Sequence, residues 1–127
     1  MSDTSGLTVL GQTVQHAIEH VEVFPAPQNV STVTFSTDEV QSICPVTNQP
    51  DISSVEIEYE PNKFCIESKS LKLYFWSFRN RAVFAEALAA EIAAEVMATA
   101  KPHRVRVTLT QHPRGGITIT AVSELKS

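Results

Sequence analysis

Between Ser53 and Glu60 the chain alternates cleanly: Val55, Ile57 and Tyr59 fall on one side, and Glu56, Glu58 and Glu60 on the other. Successive side chains of a strand point to opposite faces, so this stretch reads as a strand with one dry and one wet face. His103 to Gln111 repeats the pattern, with Val105, Val107 and Leu109 set against Arg104, Arg106, Thr108 and Thr110. A sheet dry on one face has to be covered by a second layer, and the residues between these two strands change period to provide it.

The first covering segment is Glu67 to Asn80. With Ser68 as N-cap, Leu71, Tyr74, Phe75 and Phe78 recur at helical spacing and form a core-facing stripe. Lys69, Lys72, Trp76 and Arg79 fall on another face, which for an isolated helix is simply its solvated side. A second helix is expected over Ala82 to Ala100, with Phe84, Leu88, Ile92 and Val96 as its stripe and alanines that permit close approach. Lys101-Pro102 ends it.

Val30 to Ser36 is β-branched and alternating, and reads as a strand. Thr37 to Asp51, broken by Pro45, Asn48 and Pro50, reads as a loop or a short helical turn followed by a loop. Phe64 to Ile66 is a short returning strand. His112 to Gly116 is a turn, with Ile117 to Val122 as the partner strand of that hairpin. Residues 1–29, with an apolar piece at Leu7 to Leu10 and a stop at Phe24-Pro25-Ala26-Pro27, form an arm or edge segment. The expected fold class is α+β, a four-stranded antiparallel sheet with two helices on one face, as a single domain over residues 1–127. Two open sheet edges predict assembly through those edges.

The net charge of −4 is unevenly spread. Residues 1–62 hold nine carboxylates and no Lys or Arg, while all ten cations lie in residues 63–127 beside five carboxylates. Overall acidity argues against a nucleic-acid groove but leaves room for a local cationic site for a small polyanion. No apolar run spans a membrane, and the acidic, polar N-terminus does not resemble a signal peptide, so a cytoplasmic protein with two free thiols is expected.

Cys44 lies between Ile43 and Pro45, and Asp51 follows in Asn48-Gln49-Pro50-Asp51. A loop thiol beside a carboxylic acid can attack an electrophile while the acid protonates the atom that becomes basic. A lone cysteine is also commonly a small buried hydrophobe, a role that Cys65 suits better. Cys44, Cys65 and His112 lack any local ligand pair, so no metal site is expected. Glu86 falls away from Glu91 and Glu95 on its helix; if those two are wet, Glu86 meets either a ligand N–H or Arg79 or Arg81. Neither a Rossmann fingerprint nor a P-loop occurs, which leaves the helix start at Lys69 and Lys72 as the place where phosphate would be attracted.

The sequence is similar to the NADPH-dependent nitrile reductases that convert 7-cyano-7-deazaguanine to 7-aminomethyl-7-deazaguanine in queuosine (tRNA modification) biosynthesis. The resemblance runs through Leu7-Thr8-Val9-Leu10-Gly11, Ser42 to Asp51, Glu67 to Tyr74, Ser77-Phe78-Arg79-Asn80 and Pro113 to Ile117. It implies the tunnelling fold, in which sheets join side by side into rings, giving a homo-oligomer with stacked rings and interfacial active sites. It implies Cys44 as the nucleophile that forms a thioimide and Asp51 as the proton donor. The deazapurine would be held by Ile66, Glu67, Ser68, Ala85 and Glu86, and NADPH, used twice per nitrile, by Lys69, Ser70, Lys72, Tyr74 and Arg114. The partner implied is a small molecule, with no direct nucleic-acid or membrane contact. One position departs from the family, which commonly has His where Ala85 stands. Two alternatives share the fold: a transferase that forms an amidine on nitrile-bearing tRNA, which needs no Lys69-to-Tyr74 motif, and a non-catalytic purine or pterin binding module.

Overall fold

A computed structural model describes residues 18–127; the expected apolar piece at Leu7 to Leu10 and most of the arm lie outside the described residues. Eight elements follow in order: β1 (Val23–Pro25), β2 (Val33–Ile43), β3 (Pro50–Glu60), β4 (Phe64–Ile66), α1 (Ser68–Trp76), α2 (Ala85–Ala100), β5 (Arg104–Arg114) and β6 (Ile117–Lys126). β2, β3, β5 and β6 form a four-stranded antiparallel sheet in that order. β1 and β4 pair separately as a two-stranded ribbon, Val23 opposite Ile66, so the arm is stitched to the body.

Val55, Ile57 and Tyr59 of β3 and Val105, Val107 and Leu109 of β5 are buried, and Leu88, Ile92 and Val96 of α2 close over them. Buried Ala85, Ala89 and Ala93 recur every fourth residue, which lets the α2 backbone lie close to the sheet. The opposite face is wet and ionic. There Arg104 gathers Glu58, Glu60 and Glu124 at 2.8–3.5 Å.

The α+β layering expected from periodicity is present, but several boundaries move. β2 continues through Thr37 to Ile43, where a loop was expected, because a register shift between Thr37 and Val40 breaks the alternation without ending the strand. The second helix starts at Ala85 rather than Ala82: Ile43 N–H donates to the Arg81 carbonyl, and Val83 N–H donates to that of Ile43. These bonds hold residues 81–83 extended against β2. Phe84 is therefore an exposed N-cap, not part of the buried stripe. The β5–β6 strands run to Arg114 and from Ile117, leaving a two-residue turn in which Gly115 and Gly116 both take positive φ, 64° and 80°. This pattern suits the right-handed twist of a hairpin and is one that only glycine takes without strain.

The cap of α1 is Glu67, not Ser68. The Glu67 carboxylate accepts from the amides of Lys69 at 2.9 Å and Ser70 at 2.7 Å. Leu71, Tyr74 and Phe75 are buried as expected, with Phe78 just beyond the helix packed edge-on to Tyr74. At the other end of α2, Lys101 takes a left-handed conformation and Pro102 prevents continuation. Among the described residues no helix is long and apolar enough to cross a membrane.

Candidate active site

Cys44 follows directly on β2 and is closed into a tight loop: its N–H donates to the Gln49 carbonyl and its own carbonyl accepts from Asn48, both at 2.9 Å. Asn48 takes positive φ (58°), a conformation asparagine tolerates. This loop aims donors at the thiol. The Thr47 hydroxyl, then the Thr47 and Val46 backbone N–H groups, hold the Cys44 thiol below its ordinary pKa, against smaller opposing contributions from burial and the Asp51 charge. Such a cluster favours thiolate, the nucleophilic form. Thr47 escaped the sequence reading, although a Thr two residues before the Gln49 amide it accepts from is a local turn signal.

Asp51 stands opposite Ser42 across the β2–β3 ladder and is only 5% exposed. A buried carboxylate needs a partner, and Arg114, at the end of β5, provides one with Nη2 3.1 Å from Oδ1. The same guanidinium donates to the Gln49 side chain. Arg114, expected to hold cofactor, thus braces the acid and the loop that carries the thiol. The β2 contact to residues 81–83 brings the start of α2 alongside, with Ala85 buried and Glu86 exposed in the first helical turn.

Glu86 meets neither expected arginine: Arg81 pairs with Glu91, and Arg79 lies over Trp76. Glu86 and Glu95 do fall on opposite sides of α2, but it is Glu86 that is wet and Glu95 that is drawn inward. It accepts from Val21 N–H at 3.1 Å and has a 14% exposed side chain.

Ile66, Glu67 and Ser68 lie elsewhere. The Ile66 N–H donates to the Tyr59 hydroxyl at 2.8 Å, which puts this group at the far end of β3 from Asp51. Eight residues at about 3.3 Å each put Tyr59 about 26 Å from Asp51 along β3. Ser70, expected to touch cofactor, is fully buried; its hydroxyl accepts from Glu22 N–H and donates to the Glu67 carbonyl. Tyr74, also expected there, is 3% exposed in the core, its hydroxyl has no hydrogen-bond partner among the described residues, and burial drives its pKa upward. The helix start is also no open phosphate site, because the Glu67 carboxylate already occupies two first-turn amides.

The basic stripe of α1 faces a groove. Ser68, Lys72, Trp76 and Arg79 form one wall, and Phe35, Thr37, Asp38 and Glu39 of β2 the other, around about 670 Å³. Lys69 is not part of that lining.

The α+β layer thus carries, at one end of the β2–β3 hairpin, a thiol held below its ordinary pKa and a buried acid braced by an arginine. A profile of the family described as "QueF-like protein" matches residues 50–127. A protein of Syntrophus aciditrophicus (strain SB) named NADPH-dependent 7-cyano-7-deazaguanine reductase is 40% identical over 126 residues, spanning 98% of this chain and 89% of its own length. One of the same name from Exiguobacterium sibiricum is 40% identical over 124 residues, with 92% and 76% covered. A solved structure, the archaeosine synthase QueF-Like in the apo form, superposes with a TM-score of 0.72 at 28% identity, over 76% of this chain and 95% of that one. The chain belongs to the QueF-like family, beside relatives named as NADPH-dependent 7-cyano-7-deazaguanine reductases.

Proposed function

We propose that this chain is a cytoplasmic, single-domain subunit that reduces the nitrile of 7-cyano-7-deazaguanine to the aminomethyl group, for queuosine biosynthesis. The observation that carries the reading is the Cys44 loop: a thiol held toward thiolate by Thr47 and Val46, beside an Asp51 carboxyl braced by Arg114. The thiolate adds to the nitrile carbon, and Asp51, having taken the thiol's proton, delivers it to the nitrogen, giving a thioimide bonded to Cys44. A thioimide accepts hydride more readily than a nitrile. Two NADPH, bound in turn, would each supply one hydride, because nitrile to primary amine is a four-electron reduction. Between the two deliveries the C–S bond breaks, Cys44 leaves as thiolate, and Asp51, reprotonated from solvent, donates to the amine nitrogen. Glu86, exposed at the positive end of α2, offers a carboxylate to the N–H edge of the deazapurine.

The cofactor fit rests on the α1 groove: among the described residues, Lys72 and Arg79 line it with no carboxylate paired to either. Lys72 is therefore available to phosphate.

Two sets of residues at opposite ends of β3 cannot both touch one small heterocycle in one subunit. The reading therefore places the purine between copies, with Cys44, Asp51 and Glu86 from one and Ile66 to Ser68 from the next. Exposed Ile117, Ile119 and Leu125 on the β6 edge and the free edge of β2 support side-by-side ring closure.

The test follows NADPH absorbance with 7-cyano-7-deazaguanine as the only other substrate. Nitrile-dependent oxidation is expected, with a covalent adduct in the mass spectrum that Cys44→Ala abolishes and a rate that Asp51→Asn lowers about 100-fold or more. Amidine formation with ammonia and no NADPH oxidation would select the synthase-like alternative, and nitrile binding without adduct would select a binding module.

A further inference from the structure

We infer that Arg79 and Trp76 form the part of the groove that reads the 2′-phosphate and adenine of NADPH, and so set its preference over NADH. The inference rests on the reductase reading for the presence of NADPH, and on this chain's own residues for where its adenosine end lies.

The other arginines show what an arginine here does when its task is structural. Arg81 is bound to Glu91, Arg104 to three glutamates, Arg106 to Glu124 and Arg114 to Asp51. Among the described residues, Arg79 has no carboxylate. Its Nη1 donates to the Trp76 carbonyl at 2.9 Å, and its guanidinium lies 4.4 Å from the Trp76 ring centroid. This stack holds the guanidinium fork in place while leaving further N–H donors open, the arrangement that suits a phosphate monoester. Trp76 is 43% exposed, a large ring left uncovered beside a cation. Together they present a flat apolar face and a fork within one groove, which matches a purine bearing a phosphate on its ribose.

The opposite wall fits the rest of the nucleotide. The register shift in β2 turns Asp38 and Glu39 outward into the groove. Asp38 is itself steadied by the Ser54 hydroxyl at 3.0 Å. Those carboxylates would repel phosphate, and they accept from ribose hydroxyls and an exocyclic amine. The groove is thus cationic on its α1 wall and acidic on its β2 wall, and a ligand with anionic and donor groups on different sides would lie across it in one orientation. Along α1, Ser68 and Trp76 are about 12 Å apart. Ser68 belongs to the purine wall, so the hydride-donating ring belongs at that end. Lys72 then meets the pyrophosphate at mid-groove, and the adenosine end reaches Trp76 and Arg79.

Trp76 is the only tryptophan in the chain, so its emission reports on this place alone. Titrating the full-length protein with adenosine 2′,5′-bisphosphate should quench that emission, and adenosine 5′-monophosphate should do so only at much higher concentration. In Arg79→Gln the two fragments should become equivalent, and NADPH should bind about 10- to 100-fold more weakly while NADH is unchanged. Arg79→Lys, which keeps the charge and loses the fork, should fall between. Lys72→Gln should weaken NADPH and NADH alike. Equal weakening of both dinucleotides by Arg79→Gln, or displacement of NADPH by the bisphosphate without any change in Trp76 emission, overturns the assignment. Fragment binding as expected with no nitrile-dependent oxidation would leave the groove assignment standing and sink the reductase reading instead.

Discussion

Replacing Tyr74 by Phe should make the protein more stable and leave its cofactor affinity alone. The hydroxyl is buried with no hydrogen-bond partner among the described residues, and its ring packs edge-on to Phe78 with centroids 5.0 Å apart. An unsatisfied buried polar group costs about 1–3 kcal/mol, whereas Phe keeps the ring, its burial and that contact. Unfolding entropy for 127 residues is about 0.27 kcal/mol per degree, so the gain corresponds to a Tm higher by about 4–11 °C. Calorimetry at matched protein concentration reads the shift, since an oligomer's Tm depends on concentration. NADPH titration of the same two proteins should give one Kd. A lower Tm in the variant would show that the hydroxyl is hydrogen-bonded to a group outside the described residues. A weakened NADPH Kd would return Tyr74 to the cofactor site from which its burial removes it.

Thr47→Val removes the largest contribution holding the Cys44 thiol down; the thiol pKa rises, alkylation at neutral pH slows, and the acid limb of the rate profile moves to higher pH. An unshifted alkylation profile would mean that the backbone N–H groups suffice. Ala85 is only 7% exposed, so Ala85→His overpacks the start of α2 and should cost about 1–3 kcal/mol in urea unfolding. The wild-type protein should form amine without it, and amine made only by the histidine variant would contradict Asp51 as sufficient acid. Arg104 holds the Glu124 carboxyl below its ordinary range; a lowered folded pKa gives stability present above the unfolded value, near 4.3, and lost as pH falls through the folded one. Arg104→Gln should therefore flatten the acid end of the stability curve, and an unchanged curve would mean that the network is ornamental. Ile119→Lys on the exposed β6 edge should yield smaller species in sedimentation while the monomer stays folded; an unchanged assembly would move the interface elsewhere.

The central strands were legible because Val55 to Glu60 and Val105 to Leu109 keep a period of two from end to end. β2 was legible only in its first part, since the shift at Thr37 reverses which residues face inward and a pattern reader sees a break. Cys44 and Asp51 were singled out from residue type and spacing, and their closeness follows from the hairpin they flank. The bracing of Asp51 by Arg114, sixty-three residues later, depends on a strand pairing that no local pattern encodes. Glu67 was expected to meet substrate and instead has its carboxylate on two amides of α1; glutamate is not a preferred cap, and propensity pointed one residue on. Helical angle set Glu86 and Glu95 on opposite sides of α2 but could not say which is wet, because the segment that draws Glu95 inward, Val21, comes from the arm.

β3 is eleven residues long, and in the proposed arrangement it works as a spacer that keeps each subunit's reactive thiol away from its own purine wall. The unit of inheritance is then not the unit of catalysis. A lesion at Cys44 silences a site whose other wall belongs to an undamaged neighbour, and a lesion at the Ile66 to Ser68 wall spoils a site whose thiol is sound. Two differently damaged chains, mixed and allowed to exchange, would rebuild some intact sites that neither makes alone. Dilution below the assembly threshold would abolish turnover while every subunit remained folded.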